Sequence, residues 1–239
     1  MIVIPKTTIS SRLKYQAMCA AFILLISNTV KALDLDVRSS RTSRLDFSVL
    51  IDRSSIEMEN DNASVELDLS RFGIVSIEVP ASGPQFGLLL GYAYADFSDS
   101  NSYESIAMDG YYLGVSVRVN MITYSALTIA VAGHYLYQSV DGEDNQAKAS
   151  LTWDEFSAAL ILGYRLGATG ELYGAVQTAS LDGRYRYDGL TSTRDDLENK
   201  NRQGAEAGFT YYINRLETVG IIYHRGFSDG FSLQFRKLF

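Results

Sequence analysis

The sequence contains very little cysteine and histidine. Cys19 is the only cysteine among 239 residues, so the chain after residue 32 has no thiol for a disulfide or a cysteine-based metal site. The two histidines lack an evident third partner, and two imidazoles alone leave a zinc site incomplete. We therefore predict no metal centre and no cofactor.

Basic residues are also scarce relative to acidic ones. The formal charge is −7, and residues 1–32 hold four basic residues and no acid, so the remainder of the chain carries −11. A surface this acidic repels a phosphate backbone. Nucleic acid is therefore excluded as an expected partner.

Long apolar runs are missing after Ala32. A membrane-spanning helix needs about 20 apolar residues, and no later stretch approaches that length. If the chain crosses a bilayer, it must do so as a closed barrel, because only helices and closed barrels satisfy every backbone polar group in lipid.

The first 32 residues have the pattern of a secretory signal. A basic segment precedes the apolar run Ala17–Ile26, and small residues follow before Leu33. The apolar run is about half the length of a membrane anchor, which favours a cleaved signal. We predict cleavage between Ala32 and Leu33, leaving a single domain over residues 33–239.

Most of the remaining chain alternates between apolar and polar residues with period two. Such alternation is typical of a strand whose two faces meet different environments. The clearest apolar row is Tyr111, Leu113, Val115 and Val117, and the opposing row is Tyr112, Gly114, Ser116 and Arg118. A second apolar row, Val65, Leu67 and Leu69, opposes Glu66 and Asp68. In both segments we expect the apolar row to face lipid.

Connections between these segments alternate between short and long. The short set covers residues 80–84, 120–124, 166–171 and 214–217; the long polar set covers 53–62, 98–107, 139–148 and 187–201. Short periplasmic turns and longer external loops are typical of barrels in the outer membrane of bacteria. We predict an all-β, antiparallel transmembrane barrel of about ten strands, with eight as the alternative. A soluble lipocalin-like barrel or sandwich stays open, because a water-soluble core also produces period-two alternation.

The predicted inward rows contain a set of charged residues. A barrel of about ten strands encloses at most a narrow path, so these charges either line it or pair into a plug. The candidate lumen residues are Glu66, Asp68, Arg118, His134, Glu155, Arg165, Glu206, His224 and Arg236. Trp153 is expected beside an external loop as an interfacial aromatic.

One segment matches the sequence of a hydrolase motif but not the structural context that the motif requires. Residues 226–230 read G-F-S-D-G, which fits the G-x-S-x-G nucleophile elbow, and His224 is close by. That motif requires a strand, a tight turn and a helix, with the histidine after the serine. Here we predict a hairpin turn and no catalytic residues.

The C-terminal segment carries a family resemblance. Apolar residues occupy every second position except Lys237, and the set is Phe231, Leu233, Phe235 and the terminal Phe239. This ending resembles the assembly signal of bacterial outer-membrane β-barrel proteins, a family that includes small porin-like barrels. The resemblance implies export through the periplasm to a Gram-negative outer membrane, contact with outer-membrane lipid and lipopolysaccharide, and recognition by the barrel-assembly machinery.

The expected function follows from this class. We expect a non-catalytic integral outer-membrane barrel that acts as a structural element or a narrow porin-like pore. Two alternatives stay open: a surface adhesin or receptor that uses the external loops, above all residues 187–201, and a hydrolase at the external rim.

Overall fold

The computed structural model describes residues 44–60, 64–80, 83–98, 106–144, 147–189 and 192–239. The predicted signal and its cleavage site at Ala32 and Leu33 lie outside these residues. The strands are β1 (Arg44–Glu59), β2 (Ser64–Val79), β3 (Gln85–Ser98), β4 (Met108–Tyr124), β5 (Leu127–Asp144), β6 (Ala147–Leu166), β7 (Gly170–Asp188), β8 (Ser192–Asn199), β9 (Gln203–Tyr212), β10 (Glu217–Arg225) and β11 (Asp229–Leu238). The described part of the chain contains no helix that could span a membrane.

The strands form one antiparallel sheet that closes on itself. Except for β8 and β9, which both pair with β7, each strand pairs with its neighbours in sequence. β11 pairs with β1 from Asp46 opposite Leu238 to Ser55 opposite Asp229. Closure leaves no free sheet edge around the ring. The predicted antiparallel barrel is therefore confirmed.

Strand β8 explains why eleven strands occur where about ten were expected. The lower part of β7 pairs with β9 up to Thr178, and its upper part pairs with β8 from Asp182 onward. β8 and β9 therefore act as one strand that is interrupted at residues 200–202. The full ring contains ten strands, β1 to β7 and β9 to β11.

The barrel narrows toward one end. We call the end that holds Arg44 and Phe239 the lower end and the opposite end the upper end. Above the short β10–β11 hairpin, β8 pairs directly with β1 at Met58 and Glu59, so β1 to β8 form an eight-stranded ring. Barrel diameter grows with strand number, so the upper ring is narrow enough for side chains to fill it.

The hairpin tip lies at the step between the two rings. Gly226 has a φ of 106°, a conformation that glycine adopts without steric cost, and its amide donates to Asp229 Oδ1 at 2.7 Å. Phe227 is 5% exposed and packs among the apolar residues of the lumen. The hairpin predicted for residues 226–230 is thus present, and it directs a phenylalanine into the barrel.

The outer wall carries a broad apolar band over its lower and middle part. Phe86, Leu88 and Leu90 of β3 are 58%, 65% and 61% exposed, and other strands contribute similar residues. At the upper margin, the hydroxyl groups of Tyr92 and Tyr135 donate to the carboxylates of Asp109 and Asp154. The remaining members of the band include Leu45, Phe47, Tyr111, Leu113, Val115, Val117, Phe156, Leu160, Leu162, Val176, Ile221, Phe231 and Phe235.

The strands continue well above this band, which corrects the prediction of long external loops. Residues 53–59, 139–144, 147–148 and 192–199 are strand, although we expected them within polar loops. Their outward side chains are polar because they lie above the apolar band. Polar side chains do not prevent backbone pairing, so the strands continue through these residues. At the lower end the connections are short, and the turn expected at 120–124 lies at residues 125–126.

Candidate functional site

A charged cluster crosses the middle of the lumen, and Arg71 of β2 is its centre. Its Nε donates to Gln138 Oε1 of β5 at 3.1 Å, and Nη2 donates to Glu155 Oε2 of β6 at 3.1 Å. Nη1 lies 4.0 Å from Asp52 Oδ2 of the neighbouring β1. One side chain therefore ties opposite walls of the barrel together.

His134 extends this cluster along β5 and β6. Its Nε2 lies 2.9 Å from Glu155 Oε1, and its Nδ1 lies 2.8 Å from Ser157 Oγ. Glu155 and Ser157 are each 3% exposed. Glu155 therefore receives Arg71 on one oxygen and His134 on the other, which satisfies a buried carboxylate that would otherwise be costly.

His224 lies in a second arm of the cluster, on β10. The Ser232 hydroxyl donates to Asp52 Oδ1 at 2.6 Å, and His224 Nε2 lies 2.6 Å from the same hydroxyl oxygen. His224 Nδ1 lies 3.3 Å from Glu206 Oε1. Because the single hydroxyl proton goes to Asp52, the Ser232 oxygen accepts from His224.

These groups surround a chamber of about 150 Å³. Asp52, Glu155 and Glu206 line it together with one arginine and the two histidines, while Leu136 and Phe227 belong to its apolar side. Among these lining residues the three carboxylates outnumber Arg71, the one permanent cation, by two.

The serine–histidine–acid contacts resemble a hydrolase triad, but their chemistry argues against one. A triad histidine must accept the serine proton, whereas His224 Nε2 donates to Ser232. Ser157 Oγ does contact a histidine, His134, as a triad serine would. Ser157 lies in the middle of β6, however, where its backbone pairs with His134 of β5 on one side and Ala179 of β7 on the other. Strand pairing engages the backbone amides there, so none is free to form an oxyanion hole. Across the described ranges, no group of three or more His, Cys, Asp and Glu is placed to hold a metal ion.

Above the charged cluster, apolar side chains fill the narrow upper ring. Trp153, Leu67, Met58 and Leu181 are at most 1% exposed, and they belong to one continuous cluster. Further members are Ile56, Val65, Leu69, Phe97, Met108, Tyr112, Leu136, Val140, Leu151, Tyr185, Leu197 and Phe227. We call this cluster the upper core. It has the composition of a dry protein interior rather than of an aqueous channel.

A glycine pair allows one large member of the upper core to fit. Gly73 and Gly91 lie opposite each other on β2 and β3, beneath the ring of Tyr112. A Cβ on Gly73 would lie 2.0 Å from the Tyr112 hydroxyl oxygen, and one on Gly91 would lie 2.5 Å from its ring. Only glycine leaves room for the tyrosine at this level.

The structure places seven of the predicted lumen residues in the lumen. His134, Glu155, Glu206 and His224 belong to the charged cluster just described. Arg118, Arg165 and Arg236 lie below it, on inward positions of β4, β6 and β11.

Glu66 and Asp68 are not lumen residues, and the prediction for both is wrong. They are exposed on the outer face of β2, while Val65, Leu67 and Leu69 point into the upper core. Above the apolar band the outer face of β2 is charged and the lumen is apolar, so the facing expected of a membrane barrel is reversed there. For the same reason Trp153 lies in the upper core and not beside an external loop.

Sequence reasoning missed Arg71, Asp52, Gln138, Ser157 and Ser232. Arg71 carried a usable signal, since it interrupts an apolar row that was assigned to lipid. An arginine on the lipid face near the bilayer midplane costs roughly 2 to 4 kcal/mol. That cost indicates that the whole row faces inward, as the structure shows.

The C-terminal residues line the seam between β11 and β1. Phe231, Phe235 and Phe239 are exposed on the outer face, and Leu233 lies in the same row. The Phe239 amide donates to Leu45 O at 2.9 Å, and its ring meets Phe47 edge-on at 5.7 Å. Lys237, which interrupts the row, has its Nζ 2.7 Å from Glu217 Oε1.

No family model matches the chain, and no curated protein matches it in sequence. Solved barrels resemble it in fold at low identity. The translocator domain of the autotransporter NalP from Neisseria meningitidis is 11% identical, with 96% of this chain and 97% of that domain covered and a TM-score of 0.47. The outer membrane protein OprG from Pseudomonas aeruginosa is 12% identical, with 85% and 99% covered and a TM-score of 0.44. The attachment invasion locus protein Ail of Yersinia pestis is 10% identical, with 81% and 98% covered and a TM-score of 0.37.

Proposed function

We propose that this chain is an integral outer-membrane β-barrel that is closed at its external end and acts as a non-catalytic structural element. The observation that carries the proposal is the reversal of polarity along the barrel. The outer wall is apolar below and charged above, whereas the lumen is charged below and apolar above. A barrel whose lower part is surrounded by lipid and whose upper part is surrounded by water accounts for the change on the outer wall and for the change in the lumen.

The orientation follows from the connections. The lower end holds both ends of the described barrel and the short turns, which is the periplasmic arrangement of bacterial barrels. The upper end then projects outward, with Tyr92 and Tyr135 at the external interface, where amphipathic tyrosines are enriched. Lipid and lipopolysaccharide would surround the band. Recognition of Phe239 by the assembly machinery stays a prediction from the family resemblance.

Closure of the upper ring favours a structural role over a porin-like pore. The upper core fills the section in which only eight strands surround the lumen, and Arg71 crosses the wider section below. The absence of a catalytic role is likewise a proposal, supported by the proton arrangement at Ser232 and the paired backbone at Ser157.

The lipid contact can be tested with an arginine in the apolar band. Leu88 is 65% exposed in the middle of the band, and we expect Leu88→Arg to lower the free energy of unfolding by roughly 2 to 4 kcal/mol, the cost of a cation near the midplane. Thr152→Arg is the control, because Thr152 lies on the outer face above the band. We expect this substitution to change the free energy of unfolding by less than about 0.5 kcal/mol. Denaturant unfolding from lipid vesicles measures both, and equal effects would place the band outside lipid.

A further inference from the structure

The outer face of the barrel carries an open, charged concavity above the apolar band. Its volume is about 610 Å³, and three neighbouring strands line it. The charged and hydroxyl side chains around it are Asp141 and Glu143 of β5, Lys148 and Ser150 of β6, and Arg186 and Asp188 of β7. We call this surface, together with its continuation onto β8, the external platform.

Strand register shows how the platform continues. Asp141, Ser150 and Arg186 lie opposite one another in a single row across β5, β6 and β7. The same row reaches β8 at Arg194, which lies directly opposite Arg186. Side chains two residues apart on a strand point to the same face, so Arg184 lies next to Arg186. Three exposed arginines are therefore neighbours on the outer surface.

These three arginines are only partly balanced by carboxylates. Arg186 and Arg194 form a like-charged cross-strand pair, an arrangement that destabilises a sheet. Arg186 Nε donates to Asp188 Oδ2 at 2.8 Å. Although Asp196 is opposite Arg184 in the register, neither Arg184 nor Arg194 forms an ion pair with a residue that the structure describes. Each guanidinium has five N–H donors, so the platform offers many donors to an anion.

The platform also offers hydrogen-bond acceptors. Asp141 is exposed, and its carboxylate bonds to no other side chain among the described residues. The neighbouring Glu143 is already engaged, with Lys148 Nζ 3.4 Å from its Oε2. A carboxylate repels a bare anion but accepts from a neutral hydroxyl group. Arginines beside a free carboxylate therefore suit a ligand that carries both phosphate and hydroxyl groups.

The height of the platform identifies such a ligand. On β6 the uppermost exposed apolar residue of the band is Phe156, at 62% exposure. Ser150 is six residues above it, which is roughly 16 Å higher for a strand tilted by about 40°. Acyl chains end at the margin of the band, and in an outer membrane the phosphorylated saccharide of lipopolysaccharide occupies the layer above them.

We propose that the external platform binds the phosphorylated core saccharide of lipopolysaccharide. Arg184, Arg186 and Arg194 bind a phosphate group, because the planar fork of a guanidinium matches two phosphate oxygens. Asp141 accepts a hydrogen bond from a sugar hydroxyl. The proposal rests on the proposed function, since it requires the upper end to be external. Binding ties the upper part of the barrel to the surrounding saccharide layer, as befits a structural element.

Retention of purified lipopolysaccharide by the immobilised, folded protein in detergent tests the platform. We expect saturable binding by the wild type and roughly tenfold weaker binding when Arg186→Gln and Arg194→Gln are combined, because two exposed charge contacts are lost. Dephosphorylated lipopolysaccharide should bind the wild type about as weakly. Arg225→Gln is the matched control, because Arg225 is exposed on β10 and its row crosses β7 at Val176, eight residues from Arg184.

Asp141→Ala separates recognition of a saccharide from attraction of a bare phosphate. Loss of a contact with a sugar hydroxyl should weaken binding about threefold. Arginines that merely attract a phosphate would instead bind it more tightly once a nearby negative charge is removed.

Heat-modifiable gel mobility checks the folding of each variant, and Arg194→Gln alone carries the comparison if the double variant does not fold. The proposal is overturned by any of three results: no saturable binding by the wild type, equal affinity for intact and dephosphorylated lipopolysaccharide, or binding that the arginine variants leave unchanged. Unchanged or tighter binding by Asp141→Ala would also overturn it. The Leu88→Arg measurement tests the lipid band separately, so failure of the platform is distinguishable from failure of the proposed function.

Discussion

Replacing Arg71 with methionine is expected to lower the free energy of unfolding by roughly 3 to 5 kcal/mol, the usual cost of removing one partner from a buried ion pair. The substitution keeps the apolar stem but removes the charge that balances Glu155. Glu155 is 3% exposed, and Arg71 is its closest permanent cation at 3.1 Å. Asp52 loses the same neighbour at 4.0 Å.

A second variant separates loss of charge balance from loss of packing. Arg71→Met combined with Glu155→Gln removes both charges, so it should recover part of the stability lost by Arg71→Met alone. Arg184→Met, on the exposed outer face, should change stability by less than about 0.5 kcal/mol. Denaturant unfolding from vesicles measures these variants and Glu155→Gln alone, which completes the double-mutant cycle. A double variant that loses the sum of both single effects would mean that the Arg71–Glu155 contact does not stabilise the barrel.

Leu67→Ala is expected to cost roughly 2 to 5 kcal/mol, because a fully buried leucine leaves a cavity when it is truncated. Leu67 is 0% exposed and packs in the upper core. Its neighbour Glu66 points to the outside, so Glu66→Ala should change stability by less than about 0.5 kcal/mol. The same unfolding measurement applies. A larger effect of Glu66→Ala than of Leu67→Ala would restore the original assignment, with Glu66 in the lumen.

The barrel itself could be predicted from the sequence because alternation is a local property. On β4, Tyr111, Leu113 and Val115 face outward and are exposed, and Tyr112 and Gly114 face inward, as the pattern predicted. The same reasoning failed on the upper half of β2, where the pattern is equally clear but the two environments are exchanged. Alternation tells which residues share a face, and it does not tell which face is wet.

The charged cluster was only partly predictable because its contacts join distant segments. Arg71 bonds to Gln138 and Glu155, which are 67 and 84 residues away, and these partners follow from strand register and barrel closure. His134 and Glu155 were identified from their inward rows. The step from ten to eight strands depends on the break at residues 200–202, for which the sequence carries no signal that we recognised.

The most direct test of a closed external end is a planar-bilayer recording of the purified, folded protein. Because buried apolar side chains fill the described part of the eight-stranded ring, we expect insertion without steady conductance steps. Folded protein recovered from the same lipid, identified by its heat-modifiable mobility, shows that insertion has occurred. Steady open-channel steps from the wild type, unchanged in size when upper-core residues such as Leu67 are truncated, would contradict closure by the upper core.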